Sequence, residues 1–147
     1  MKVRDVMLTG LPTARETDTV QSIVVKVIYH DIGVVPILGN THNLIGIIAL
    51  RDIMMPMYPG YGDYIHDNVR SRDFEQMEEG YARVLTMKAG EIMTSNPMTV
   101  SPDDPVLKAA SYMGLKNLRR IPVVEGNQFL GIVGINEINK ALFFNLL

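Results

Sequence analysis

Cysteine and tryptophan are both missing from the 147 residues of this chain. Without cysteine there are no disulfides, no thiolate nucleophile and no thiolate metal site. The three histidines, His30, His42 and His66, show no His-x-x-x-His spacing, so a zinc centre has no signature either. There is no Gly-x-Ser-x-Gly elbow and no glycine-rich phosphate loop. Neither sign of charge is in excess. Fourteen basic and 16 acidic residues give −2, and the only adjacent basic pair is Arg119-Arg120, so no global field attracts nucleic acid. No apolar run approaches the roughly 20 residues of a membrane span. Lys2, Arg4 and Asp5 interrupt any signal-like start. These absences point to a cytoplasmic protein that is not an enzyme and has neither a nucleic acid nor a membrane as partner.

What the chain does contain, it contains twice. The first pass reads Val6-Met7, Pro12-Thr13, Asp18-Thr19-Val20, Val35-Pro36, Gly46-Ile47-Ile48 and Asp52-Ile53. The second reads Ile92-Met93, Pro97-Met98-Thr99, Asp104-Pro105-Val106, Ile121-Pro122, Gly131-Ile132-Val133 and Glu137-Ile138. Two copies of one small unit pack against each other, and the cleft between them is where a ligand is expected.

Each repeat reads as strand, helix, strand, strand, helix. Val20, Ile23, Val24 and Val27 mark one helix face, and Val106, Ala109, Ala110 and Met113 mark its counterpart. Asp18 and Asp104 are the expected caps, with Pro105 at the first helical position. Hairpins follow, 33–38 with 44–49 and 120–124 with 129–133, and then helices over 50–55 and 136–144. Pro36 and Pro122 are expected where no ladder N–H is required. The stretch 56–87 separates a first repeat, 1–55, from a second, 88–147. It holds Tyr58, Tyr61, Tyr64 and Tyr81 and reads as a folded insertion suited to packing or dimer contact, with a helix over 73–85. The apolar tail, 141–147, is expected to pack against a dimer mate.

The paired pattern resembles the cystathionine β-synthase (CBS) domain, as a freestanding pair. The resemblance rests on Glu91-Ile92-Met93-Thr94, Pro97-Met98-Thr99-Val100, Leu118-Arg119-Arg120-Ile121-Pro122-Val123-Val124 and Leu130-Gly131-Ile132-Val133 in the second repeat. In the first it rests on Val6-Met7, Gly33-Val34-Val35-Pro36-Ile37 and the run from Leu44 to Ile53. It implies an α/β fold, with tandem CBS repeats packed in pseudo-two-fold symmetry around two clefts. It implies a homodimer, an adenosine-containing ligand (AMP, ADP, ATP or S-adenosylmethionine, none of them a required cofactor) and control of an unknown effector protein.

By the same resemblance, Asp52 would accept the ribose hydroxyls, with Glu137 at the matching position. The family's hydroxyl residue three places earlier is Ala49 in the first repeat and Gly134 in the second. Thr13, Ala14, Val34, Val35 and Pro36 would form the base slot of one cleft, and Thr99, Arg120, Ile121 and Pro122 that of the other. Arg119 and Arg120 are the candidate phosphate contacts, since guanidinium groups bind phosphate with directional bonds. Strand alternation would turn only one of the two toward a given cleft. Arg51 is a further candidate. The competing reading is a structural dimerisation module whose clefts are degenerate and unoccupied.

Overall fold

The computed structural model describes residues 1–57 and 71–146. Tyr58, Tyr61, Tyr64 and His66 therefore lie outside the described residues. The helices are α1 (Val20–His30), α2 (Leu50–Met54), α3 (Ser71–Val84), α4 (Ala89–Ile92), α5 (Val106–Lys116) and α6 (Ile135–Leu146). The strands are β1 (Val34–Leu38), β2 (Leu44–Ala49), β3 (Thr94–Ser95), β4 (Arg120–Glu125) and β5 (Gln128–Gly134). One sheet has the order β1-β2-β3, and β4 pairs with β5 in a second.

The chain divides into two compact units. The first-repeat unit comprises Pro12–Ile37 and Gly46–Ser95. The second-repeat unit comprises Met1–Leu11, Leu38–Ile45 and Asn96–Leu147. Each unit thus holds most of one repeat and the opening segment of the other, and the second-repeat unit also takes in Leu38–Ile45 of the first hairpin.

The same local devices build both. Thr19 caps α1 by accepting the Ser22 N–H at 3.2 Å. Asp18 instead closes the preceding turn, accepting the Arg15 N–H at 2.8 Å. Asp104 does likewise for Ser101 at 2.9 Å, and Pro105 rather than Asp104 is the cap residue of α5. The expected capping position is therefore one residue early in each repeat. The carboxylate side chain forms a turn within the loop and so is not available to the helix. α1 and α5 end alike, on Asp31 (φ 49°) and Asn117 (φ 54°) in the left-handed region.

The opening strand of each repeat contracts to a single bridge. Ala14 bridges Ile37 and Val100 bridges Val123, both parallel. A proline precedes each segment and an Asp-closed turn follows it, which leaves no room for a longer ladder. Pro36 and Pro122 present their carbonyls to these bridges, accepting the Ala14 N–H at 3.0 Å and the Val100 N–H at 3.1 Å. A residue's N and C=O share one strand edge, so the missing proline N–H falls on the bridge side, away from the hairpin partner.

The exchanged segments dock in the same way. In the second-repeat unit, Val3 N–H reaches the Asp104 carbonyl at 2.9 Å, and Leu8 exchanges two hydrogen bonds with Ile132 at 2.8 and 3.0 Å. In the first-repeat unit, Ala89 N–H reaches the Asp18 carbonyl at 2.8 Å, and Thr94 pairs with Ile47. Val3 is fully buried among Val106, Ala109, Met113, Ile121, Val123, Val133 and Ile138. Ala89 is as deeply buried as Val20, Ile23 and Val35 in its own unit. In the insertion, α3 starts two residues before the expected helix and buries Met77 and Val84.

Candidate functional site

In the first-repeat unit the polar centre is Asp52, in the first turn of α2. Its Oδ2 accepts the Ala49 N–H at 2.8 Å, and its Oδ1 accepts the Thr94 hydroxyl at 3.2 Å. Ala49 is half-buried and supplies only a methyl group. Arg51 is exposed. Leu50 N–H bonds the Gly33 carbonyl at 3.3 Å, which fixes the start of α2 beside the start of β1. Val34, Val35 and Pro36 are buried in the core of the unit. At the strand start, the Thr13 carbonyl accepts from Lys26 Nζ at 2.7 Å, and the Ala14 N–H is taken by Pro36. Two of the backbone groups that would read a base edge already have internal partners.

Thr94 and Lys26 are polar partners that the sequence reading did not place at a site. Thr94 stands in the quoted Glu91-Ile92-Met93-Thr94 run, but only sheet pairing shows that it faces the carboxylate. Lys26 carries no motif at all.

The second-repeat unit holds a cavity of about 440 Å³ lined by Arg119, Arg120, Ile135, Asn136 and Glu137. Pockets of this size hold small molecules. Arg120 sits opposite Gly134 in the β4–β5 ladder, and the Arg119 carbonyl accepts the Ile135 N–H at 2.9 Å. Both arginines line the same cavity, contrary to the expected alternation. Arg119 precedes β4, so the strand rule does not govern it. Among the described residues neither guanidinium has an ion-pair partner. A Cβ at Gly134 would run into Oε2 of Glu137. The longer acid thus reaches over the glycine and fills the place of a side chain there. Ile121 and Pro122 are buried, Thr99 is half-buried, and none of the three lines the cavity. Asn136 does line it. It is the counterpart of Arg51, and a repeat-to-repeat transfer would have found it.

The cavity therefore offers two positive charges, one carboxylate and one amide. Guanidinium groups hold phosphate or carboxylate oxygens, and a carboxylate accepts hydroxyl hydrogens. Among the described residues no three His, Cys, Asp or Glu side chains gather as a metal site, and no helix is long and apolar enough to cross a membrane.

Two α/β repeats, each completed by the other's opening segment and each placing an acid in the first turn after a hairpin, define a tandem-repeat α/β module. The chain belongs to the CBS domain family, whose model matches residues 3–57 and 89–143. It is similar to the CBS domain-containing protein YhcV of Bacillus subtilis, with 25% identity over 136 residues, 92% of this chain and 81% of that one. The CBS domain pair of protein MJ0100, solved with 5′-methylthioadenosine and S-adenosyl-L-methionine, has the same fold. Its TM-score is 0.73 at 23% identity, covering 99% of this chain and 98% of that one. CBSX2, solved with AMP, matches at a TM-score of 0.77 and 16% identity over 99% of this chain and 98% of its own.

Proposed function

We propose that this chain is a regulatory module that binds an adenosine-containing ligand such as AMP, ADP, ATP or S-adenosylmethionine, and acts on an effector protein without turnover of its own. The observation that carries this reading is the cavity in which Arg119, Arg120 and Glu137 meet. Two guanidinium groups that have no ion-pair partner among the described residues suit the ligand's phosphate or carboxylate, and Glu137 suits its hydroxyls. The adenosine compounds bound by MJ0100 and CBSX2 support the ligand class. Binding changes the balance between conformations only by its difference in affinity for them.

Arg120→Ala tests the reading in a thermal-shift series with these four compounds. A ligand at about 100 times its Kd stabilises by roughly 2.7 kcal/mol, a shift of a few degrees for a chain of this size. The shift should appear with at least one compound and shrink in the variant. Folded protein that responds to none of them refutes ligand sensing.

One set of observations favours the structural dimerisation module instead. Glu137 fills the space above Gly134, and α6 leaves Phe143, Phe144 and Leu146 exposed. Two copies of the chain could cover that apolar end. Light scattering that gives a dimer, together with a flat thermal-shift panel, selects this alternative.

A further inference from the structure

We infer that Thr94 is a specificity-determining ligand contact: with Asp52 it forms a paired acceptor that reads the neighbouring hydroxyls of a ribose. The inference rests on the adenosine reading above and concerns the first-repeat unit. A hydroxyl carries one hydrogen and two acceptor lone pairs. The Thr94 hydrogen is committed to Asp52 Oδ1 at 3.2 Å, so Thr94 offers a ligand acceptance only. The ionised Asp52 carboxylate is also an acceptor only. Two adjacent oxygens that both require hydrogens match two adjacent hydroxyl groups. They do not match a phosphate, which brings oxygens of its own.

The pair is held in place before any ligand arrives. Asp52 Oδ2 is anchored on the Ala49 N–H at 2.8 Å, which fixes the plane of the carboxylate. Thr94 is anchored by β2, through the pairs Ile47 with Thr94 and Gly46 with Ser95. Gly46 makes that approach feasible. A Cβ there would lie 2.7 Å from the Met93 sulfur and 2.9 Å from the Thr94 carbonyl oxygen. Thr94 is exposed and Asp52 half-buried, so a ligand can reach both. Such pre-organisation lowers the ordering cost of binding.

The second-repeat unit lacks this device. Leu8 bridges Ile132 there as Thr94 pairs with Ile47 here, and leucine has no hydroxyl to set beside Glu137. The paired hydroxyl and carboxylate are therefore a property of the first-repeat unit, whereas in the second Glu137 stands without such a partner residue beside it.

Calorimetric titration of the intact chain with adenosine and with 2′-deoxyadenosine tests this. The binding event scored is the one lost in Asp52→Ala. The wild-type protein should prefer adenosine. Thr94→Val keeps the side-chain shape and should shrink that preference about tenfold, the effect of one hydrogen bond. Thr94→Ser restores the hydroxyl and should keep the preference within about twofold of wild type. Both ligands are compared on one protein, so any loss of stability in the valine variant cancels from the ratio. An unchanged ratio in Thr94→Val overturns the role of Thr94 while nucleoside binding stands. A wild-type chain that binds neither nucleoside at Asp52 overturns the paired diol site, while the Arg119–Arg120 cavity is judged separately by the thermal-shift series.

Discussion

Gly131 and Gly134 stand three residues apart in β5, and a methyl group on each would meet different resistance. At Gly131 it would strike the Leu8 carbonyl, a backbone group that also holds the Ile132 N–H. The opening segment of the chain would have to move, and overpacking of this kind costs about 1–3 kcal/mol. At Gly134 it would meet the end of the flexible Glu137 side chain, which can swing aside. Gly131→Ala should therefore lower stability in urea by several times the effect of Gly134→Ala, which should stay below about 1 kcal/mol. Equal midpoint shifts would show that Leu8 is not held as described. Gly134→Ala should act on the cavity instead, by displacing the Glu137 carboxylate. At this scale the sequence was only partly legible. The family resemblance singled out Asp52 and Glu137, and guanidinium chemistry singled out Arg119 and Arg120; the structure sets Asp52 in the first turn of α2 and the other three around one cavity. The sequence could not show that Lys26 occupies the Thr13 carbonyl or that Thr94 occupies Asp52. Those are contacts between residues 13 and 42 positions apart in sequence.

The turn that enters α5 carries a titratable device. Asp104 is held below the usual carboxylate range, first by the Ser101 N–H and then by Lys108, whose ammonium lies 3.1 Å away. Asp103 is likewise held down, first by its hydrogen bond from Arg4, at 2.7 Å. A carboxylate whose folded pKa is depressed contributes stability that is present above its unfolded pKa, about 3.9. That stability is lost as the pH falls through the lower folded value. The melting temperature should thus be nearly level from neutral pH to about 5 and fall below about 4. Asp104→Asn should flatten part of the acid limb. Asn keeps an acceptor for Ser101, so the flattening would report the charge. An unchanged acid profile would place the sensitivity elsewhere. The elements themselves were largely legible: β2 coincides with its expected span, and the hairpins and helices fall within a residue or two at most ends. The capping positions were not, since Asp18 and Asp104 fold back on their own loops and leave Thr19 and Pro105 to start the helices. Nor was the contraction of the opening strands to single bridges. Apolar patterning cannot report how long a ladder runs.

Across the whole molecule, neither repeat is self-sufficient. Val3 belongs to the core of the second-repeat unit, and the backbone of residues 1–8 bonds to Pro102, Asp104, Val106 and Ile132 of that unit. Arg4 adds a clasp on Asp103, exposed and so of small energetic weight. A stretch of about 60 residues is marginal even with a complete core. Loss of one buried valine removes about 1.5–3 kcal/mol, before the backbone groups left without partners are counted. A fragment of residues 88–147, the second repeat as its sequence boundaries define it, should therefore be poorly folded, with little near-ultraviolet structure and no cooperative melt. Residues 1–11 joined through a short flexible linker to residues 96–147 should melt more cooperatively than 88–147, although the fused chain lacks residues 88–95 and both fragments lack Leu38–Ile45. The comparison is decisive because the two ideas rank the fragments in opposite order. If each repeat were a closed domain, the intact 88–147 fragment would be the more stable of the two. If the units are built by exchange, the fused chain is. Thermal melts of both fragments at equal concentration read out the order directly. A cooperative transition in 88–147 alone would mean that Val3 and Leu8 decorate a finished core and do not complete it.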